Sequence, residues 1–350
     1  MTIEPINNWA RKIRKKQIEK EKSKQINQPI SSWKDEILIN GETFDSLTII
    51  LRTKGCRWAK KGGCSMCGYF HDATPSVDQK NIINQFNEVL NNYEFEDEFY
   101  VKIFTSGSFL DNKEISKKTR NKIIHKLNQR QNFRGLSIET RPEFVERKKL
   151  SNIREKINEL IIGIGLESAS DEIREECINK GFSFDEYKSS LLTSLENDVE
   201  VKTYLLLKPP FLSEKDSIKD SIKSAKKASK LGSSKISINP CNIQRGTIVE
   251  ELYEQNEYSP PWLWSLIRVL RQTTKLDTDI ITDPVAAGKE RGIHNCQRCD
   301  ERILKKIKKF TKTQEPRELE VDYCGCKEEW KKILEKENRS HNITTSINCV

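Results

Sequence analysis

Six short apolar runs, at residues 47–51, 100–104, 135–138, 160–164, 201–207 and 235–238, recur along the chain with longer helix-patterned stretches between them. Strands joined by helical crossovers pair in parallel, and a parallel sheet needs those helices to cover its outer face. The order predicts an α/β fold, a partial (β/α)6 TIM-like barrel extended by a further short run at 279–282. In such barrels function gathers at the C-terminal strand ends. Each predicted strand is followed by chemistry-bearing residues: Cys56 after the first, Ser106, Gly107 and Ser108 after the second, Glu139 after the third, Glu167 after the fourth, Lys208 after the fifth and Asn239 after the sixth.

A length of 350 residues accommodates one such barrel with extensions. The division read from composition is a basic helical extension over 1–45, a barrel over 46–291 and a small Cys-rich basic module over 292–350. Trp9, Ile13 and Trp33 are the docking points of the extension, and Pro29 breaks it. Net charge is +9, from 61 Lys and Arg against 52 Asp and Glu, and the excess sits near the ends, as RKIRKKQIEKEKSK at 11–24 and RILKKIKKFTK at 302–312. Clustered cations of this kind can neutralise phosphates, though for either run taken alone a solvated helix face is the preferred reading. No apolar stretch approaches a membrane span and no signal-peptide core follows the N-terminus, so a cytoplasmic protein is expected. Ten cysteines in a reducing compartment indicate metal or redox chemistry rather than disulfides.

Cys56, Cys64 and Cys67 follow the first strand with gaps of seven and two residues. A structural zinc site closes with four ligands, and His71 is the only near candidate for the fourth. Three thiolates instead suit a 4Fe-4S cluster with one iron left open for an outside ligand. Gly55, Gly62, Gly63 and Gly68 let the backbone wrap a bulky group. An open iron on a reducing cluster is suited to chelating the amino and carboxylate groups of S-adenosylmethionine (SAM), whose one-electron cleavage yields methionine and a 5′-deoxyadenosyl radical.

On these residues the chain resembles the radical-SAM superfamily. The usual gap between the first two cysteines is three residues and here it is seven, and Met66 stands in the place of the usual aromatic. Ser106, Gly107 and Ser108 stand where the superfamily has a Gly-Gly-Glu element that meets the methionine amino group; a plain turn is the alternative. Glu139-Thr140-Arg141-Pro142 is similar to an element of the Elongator catalytic subunit family, a tRNA-acting radical-SAM group. Gly163 to Ser168 looks like the superfamily element that lies against adenosine, with Ser168 as a helix cap the plainer reading. The cofactor-binding set implied by the resemblance is Met66, Gly68, Tyr69, Ser106, Gly107, Ser108, Glu139, Arg141, Glu167, Ser168 and Asn239.

A second sulfur group, Cys296 and Cys299 followed after 24 residues by Cys324 and Cys326, supplies four thiolates. Structural zinc is the leading reading and an auxiliary iron-sulfur cluster the other, with His294 a competing ligand.

Taken in order, the basic arm with Trp9, the seven-residue cysteine gap, Glu139 to Pro142 and the His294-Asn295-Cys296 terminus resemble the radical-SAM subunit family of archaeosine synthase. That resemblance implies action on archaeal tRNA with a partner transferase and a one-electron reductant, ferredoxin-like or flavodoxin-like. The reaction it implies is radical C–N cleavage of a lysine-adducted 7-deazaguanine in the D-loop, leaving archaeosine. A radical-SAM methyltransferase or methylthiotransferase shares the cofactor, and a non-enzymatic zinc-containing RNA-binding module would account for the charge and the last four cysteines alone.

Overall fold

The computed structural model describes residues 5–18 and 25–344, with side chains as far as residue 337. The elements run α1 (Ile6–Ile18), β1 (Ser31–Ile39), β2 (Glu42–Leu51), α2 (Gln79–Asn92), β3 (Phe99–Thr105), α3 (Lys117–Asn128), β4 (Phe133–Thr140), α4 (Arg147–Arg154) and β5 (Glu159–Glu167). They continue as α5 (Phe184–Leu195), β6 (Glu200–Leu207), α6 (Glu214–Lys230), β7 (Lys235–Pro240), α7 (Ile248–Glu254), α8 (Leu263–Thr273), β8 (Asp279–Ile281), α9 (Asp300–Thr313) and α10 (Cys326–Thr344). Among the described residues no helix is long and apolar enough to cross a membrane.

The eight strands form one sheet in sequence order, β2 to β8 parallel and β1 antiparallel to β2. Among the described residues β1 and β8 do not pair, so the sheet curls into an open half-barrel with helices on its outer face. Period-2 alternation explains the two layers. Leu47, Ile49 and Leu51 of β2 share a fully buried core with Ile82 and Phe86 of α2, while the intervening positions turn inward. The lumen is plugged near the N-terminal ends of the parallel strands by Ile39, Tyr100 and Ile161, with Ile37 and Phe44 against them. Its C-terminal mouth carries the polar side chains.

Two expectations change. The extension over 1–45 is helical at Ile6–Ile18, but 31–39 is a strand, turned into β2 at Asn40 and Gly41 with φ of 50° and 81°. Asn-Gly between apolar runs favours such a hairpin, because both residues tolerate positive φ and the turn's twist matches the strands. The Cys-rich segment is also no detached unit. Cys299, Ile303, Ile307, Phe310, Cys326 and Trp330 lie in the same core as the strands, so the compositional boundary near 292 is not a break in packing. Residues 19–24 of the basic run, and Cys349, lie outside the described residues.

Candidate active site

After β2 the chain passes over the strand ends and carries Cys56, Cys64 and Cys67, all partly buried. Contacts from four distant segments shape this loop. Beneath it, the Thr53 hydroxyl donates to the Glu114 carboxylate and accepts the Gly55 N–H at 3.1 Å, and Glu114 also accepts the Ser108 N–H at 2.6 Å. Gly107 presses on Cys56 so closely that a Cβ there would stand 2.8 Å from the Cys56 Cα. From the turn after β5, Ser65 donates its N–H to Ile178 O at 2.8 Å and its hydroxyl to Cys177 O at 2.7 Å, and the Asn179 amide donates to Gly63 O at 2.7 Å. From the segment after β7, Gln244 accepts the Gly68 N–H at 2.6 Å, and the Ile248 N–H reaches Ser65 O at 3.0 Å. From the N-terminal helix, Arg14 donates to Cys64 O at 3.0 Å and Cys67 O at 3.3 Å.

Burial pushes the Cys56 thiol up and the Cys67 thiol up to about 12. Cys56 and Cys67 are therefore held as thiols, and loading a metal group onto them must release protons. Among the described residues the only three or more potential ligand atoms lying within 4.8 Å of one another belong to the C-terminal cysteines. The loop sulfurs are thus too spread for one ion, and three soft donors around a glycine-rich turn fit a larger cluster. His71, the candidate fourth zinc ligand, turns its Nε2 to Arg245 O at 2.9 Å.

Around the mouth the predicted residues divide. Ser108 is buried, its hydroxyl accepting the Arg141 N–H at 3.1 Å, which joins the ends of β3 and β4. Ser106 lies partly buried in the same turn. Arg141 is held by Glu143 at 2.6 Å and Lys180 O at 3.0 Å, over the rings of Trp58 and Phe182, and its charge acts on Cys56 and Cys64. Glu139 faces Tyr204, and burial raises its carboxyl although the Tyr204 hydroxyl works against that. Gly163 makes room for the pair, since a Cβ there would meet the Tyr204 ring at 2.8 Å and Glu139 Cγ at 3.3 Å. Glu167, at a bulge with φ 65°, pairs with Lys180 at 2.7 Å. Tyr69 is half exposed, and Met66 packs with Ile243 and Ile248 beneath the loop. Asn239 accepts the Asp283 N–H at 3.3 Å at the far side of the mouth.

Ser168 is not brought to the mouth. Its hydroxyl donates to Asp220 of α6 at 2.8 Å and accepts the Ser170 N–H at 3.0 Å, so it serves the sheet-to-helix junction. The bulge before it turns the side chain outward. Conversely, Arg14, Glu114, Asn179, Lys180, Lys202 and Tyr204 reach the site without a local sequence signal. Their partners lie across the chain, as with Asn179 and Gly63, 116 residues apart.

The C-terminal cysteines form a compact set. Sulfur separations are 3.8 Å for Cys296 and Cys299, 3.6 Å for Cys296 and Cys324, and 3.7 Å for Cys299 and Cys326. Four thiolates about 2.3 Å from one ion would stand roughly 3.8 Å apart, the edge of a tetrahedron. Trp264 Nε1–H donates to Cys326 Sγ at 3.3 Å and Asn295 Nδ2–H to Cys299 Sγ at 3.5 Å, contacts that work toward thiolates against a burial that raises both thiols, Cys299 to about 11. Burial opposes ionisation of Cys296, but hydrogen bonds from Cys326 and Cys324 bring it down to about 6. His294 turns to Gly292 O at 2.8 Å and is no part of the set.

Residues 50–225 match the Radical SAM superfamily. Over 326 residues the chain is 41% identical to archaeosine synthase subunit beta of Methanosarcina acetivorans, covering 91% of this chain and 93% of that one. The chain belongs to the radical SAM superfamily, in the archaeosine synthase subunit beta family. The Thermococcus kodakarensis archaeosine synthase subunit beta is 39% identical over 312 residues, covering 87% of this chain and 96% of that one. Among solved structures, Elp3 of Methanocaldococcus infernus lacking residues 1–46 covers 66% of this chain and 58% of its own, with 18% identity and a TM-score of 0.49. Membership makes the chain a radical SAM enzyme, and the superfamily implies a 4Fe-4S cluster and SAM. The three spread thiols at the mouth of the half-barrel fit that cluster.

Proposed function

We propose that this radical SAM enzyme, with a partner transferase, converts a lysine-adducted 7-deazaguanine of the tRNA D-loop to archaeosine. The observation that carries the reading is the 41% identity, over nearly the whole of both chains, to a protein named archaeosine synthase subunit beta. A cluster and SAM held at the mouth would supply adenosyl-radical chemistry, given one electron from a reductant, and that chemistry directed at the lysine moiety would open its C–N bond.

The chain's residues have separate tasks. Cys56, Cys64 and Cys67 would ligate the cluster. Ser106 to Ser108, Glu139, Arg141 and Glu167 would border SAM, Arg141 adding positive charge beside the cysteines and Glu167 balanced by Lys180. In the lumen, Lys202 of β6 holds its ammonium 4.5 Å from the Tyr204 ring centre, in the field of Lys235 on the adjacent β7 and of Lys102 on β3. Whichever nitrogen of lysine joins the base, its carboxylate stays free and anionic. Lys202, faced also by Glu139 and Asp283, is the lumen cation that this carboxylate would bind, since Lys102 is already paired with Asp35 at 2.8 Å. The apolar plug of Ile39, Tyr100 and Ile161 bounds the lumen behind it.

The Cys296, Cys299, Cys324 and Cys326 set would hold one structural zinc. Its near-tetrahedral sulfur spacing suits a single ion better than an auxiliary cluster, which also weighs against a sulfur-donating methylthiotransferase.

Lysine-adducted tRNA, incubated anaerobically with this protein, the partner transferase, SAM and a low-potential reductant, should yield the mass of archaeosine and 5′-deoxyadenosine. An adduct that persists while SAM is cleaved would sink the substrate assignment and leave the radical SAM assignment standing.

A further inference from the structure

Helix α1 is built into the cluster loop. Gly62 and Gly63 adopt φ of 128° and 77°, and the groove they open is filled from α1: a Cβ on Gly62 would meet Asn7 Oδ1 at 1.8 Å, and one on Gly63 would meet Arg14 Nη1 at 2.0 Å. Arg14 is only 5% exposed. Its guanidinium donates to Ala59 O at 3.0 Å, Cys64 O at 3.0 Å and Cys67 O at 3.3 Å, and stands 4.5 Å from the Phe70 ring centre. Among the described residues no carboxylate touches it. The helix is anchored independently of that contact, by Trp9 Nε1–H donating to Glu251 at 2.6 Å and by Ala10 and Ile13 buried beside Cys64, Met66 and Ile248.

A buried guanidinium stays protonated, so α1 delivers a permanent cation, with no counter-ion among the described residues, to the backbone of two of the three loop cysteines. Burying a cation with no carboxylate beside it is costly unless an anionic partner occupies the same region. A 4Fe-4S cluster held by three thiolates is anionic, and reduction makes it more so. Nearby positive charge and hydrogen bonding are among the factors that set such a potential.

We propose that Arg14 is the counter-charge of the cluster, a positioning residue through which the N-terminal helix closes the cysteine loop and raises the cluster's reduction potential. This rests on the cluster reading of Cys56, Cys64 and Cys67. It also gives residues 6–18 a role at the cofactor, distinct from the phosphate binding that their charge alone brings to mind.

The test uses the full chain, reconstituted anaerobically with iron and sulfide, as wild type, Arg14→Gln and Arg14→Lys. Iron per chain and an EPR-monitored redox titration are read on each, with circular dichroism to establish folding. Arg14→Gln should titrate at a clearly more negative potential than wild type, and Arg14→Lys, which keeps the charge without the fork, should lie nearer wild type. Loss of iron from the Gln variant alone also supports the counter-charge. Equal potentials in three loaded proteins would overturn the proposal, as would loss of iron from both folded variants, which would make Arg14 a shape element only. A wild type that binds no four-iron cluster would instead overturn the cofactor reading beneath it.

Discussion

The side-chain amide of Asn179 donates to the backbone carbonyl of Gly63 at 2.7 Å, tying the turn after β5 to the cysteine loop after β2. Asn179 sits at φ 55°, a left-handed conformation that Asn tolerates, and its own carbonyl accepts Trp58 Nε1–H at 2.7 Å. One residue thus holds both flanks of the loop. Asn179→Ala should cost about 1–3 kcal/mol, from the unpaired Gly63 carbonyl and the strained φ. Urea unfolding of the metal-free protein measures that cost, and iron retention after gel filtration should fall in parallel.

Gly107 tests how closely the second strand end meets the loop. A Cβ there would stand 2.2 Å from Glu114 Oε2 and 2.8 Å from Cys56 Cα, so Gly107→Ala has to move backbone. Reconstituted Gly107→Ala should bind much less iron than wild type while its far-UV circular dichroism is unchanged. Full iron loading would show that the turn does not shape the cluster site.

The two sulfur groups should separate by metal. Cys56→Ala, Cys64→Ala and Cys67→Ala should each lose the iron and its visible absorbance yet retain about one zinc per chain. Cys299→Ser should do the reverse at first, losing zinc. It should also melt at a lower temperature, because Cys299 and Cys326 lie within the main core. Zinc that leaves with the loop cysteines would contradict this division.

Lys202 carries a pH dependence. Burial brings its ammonium down to about 8, with Lys102 and Lys235 pushing the same way and Glu139 and Asp283 opposing. Below pH 8 the side chain is charged and attracts a carboxylate; above it the charge is lost and binding weakens. KM for lysine-adducted tRNA should therefore rise between roughly pH 7 and 9. Lys202→Met should show a raised KM that is flat over that range, with SAM cleavage in the absence of tRNA unchanged. A Met variant that keeps the wild-type pH profile would remove Lys202 from substrate binding.

The alternating apolar runs were legible as strands because burial on a parallel sheet demands contiguous apolar residues; 100–104 and 235–238 match Phe99–Thr105 and Lys235–Pro240 closely. The strand at Ser31–Ile39 was not, since its exposed edge admits Lys34, Asp35 and Glu36, which read as part of a polar arm. Ser168 followed the motif in sequence but left the mouth in space, because a bulge reversed its side.

By itself the sequence determined the order of βα units, the three-cysteine loop with its long gap and the four-cysteine set, since strand periodicity and metal-ligand chemistry are written in local residue types and spacings. Tertiary structure alone decided which of these residues meet. Arg14, Glu114 and Asn179 are ordinary polar residues in their own segments and acquire roles only when folding brings a carbonyl, a hydroxyl or a glycine groove from 50 to 116 residues away to within hydrogen-bond distance. It also decided that the loop sulfurs are spread and the C-terminal four compact. Spacing along a chain sets which ligands are available, whereas the distance between sulfur atoms follows from how the packed core holds each loop.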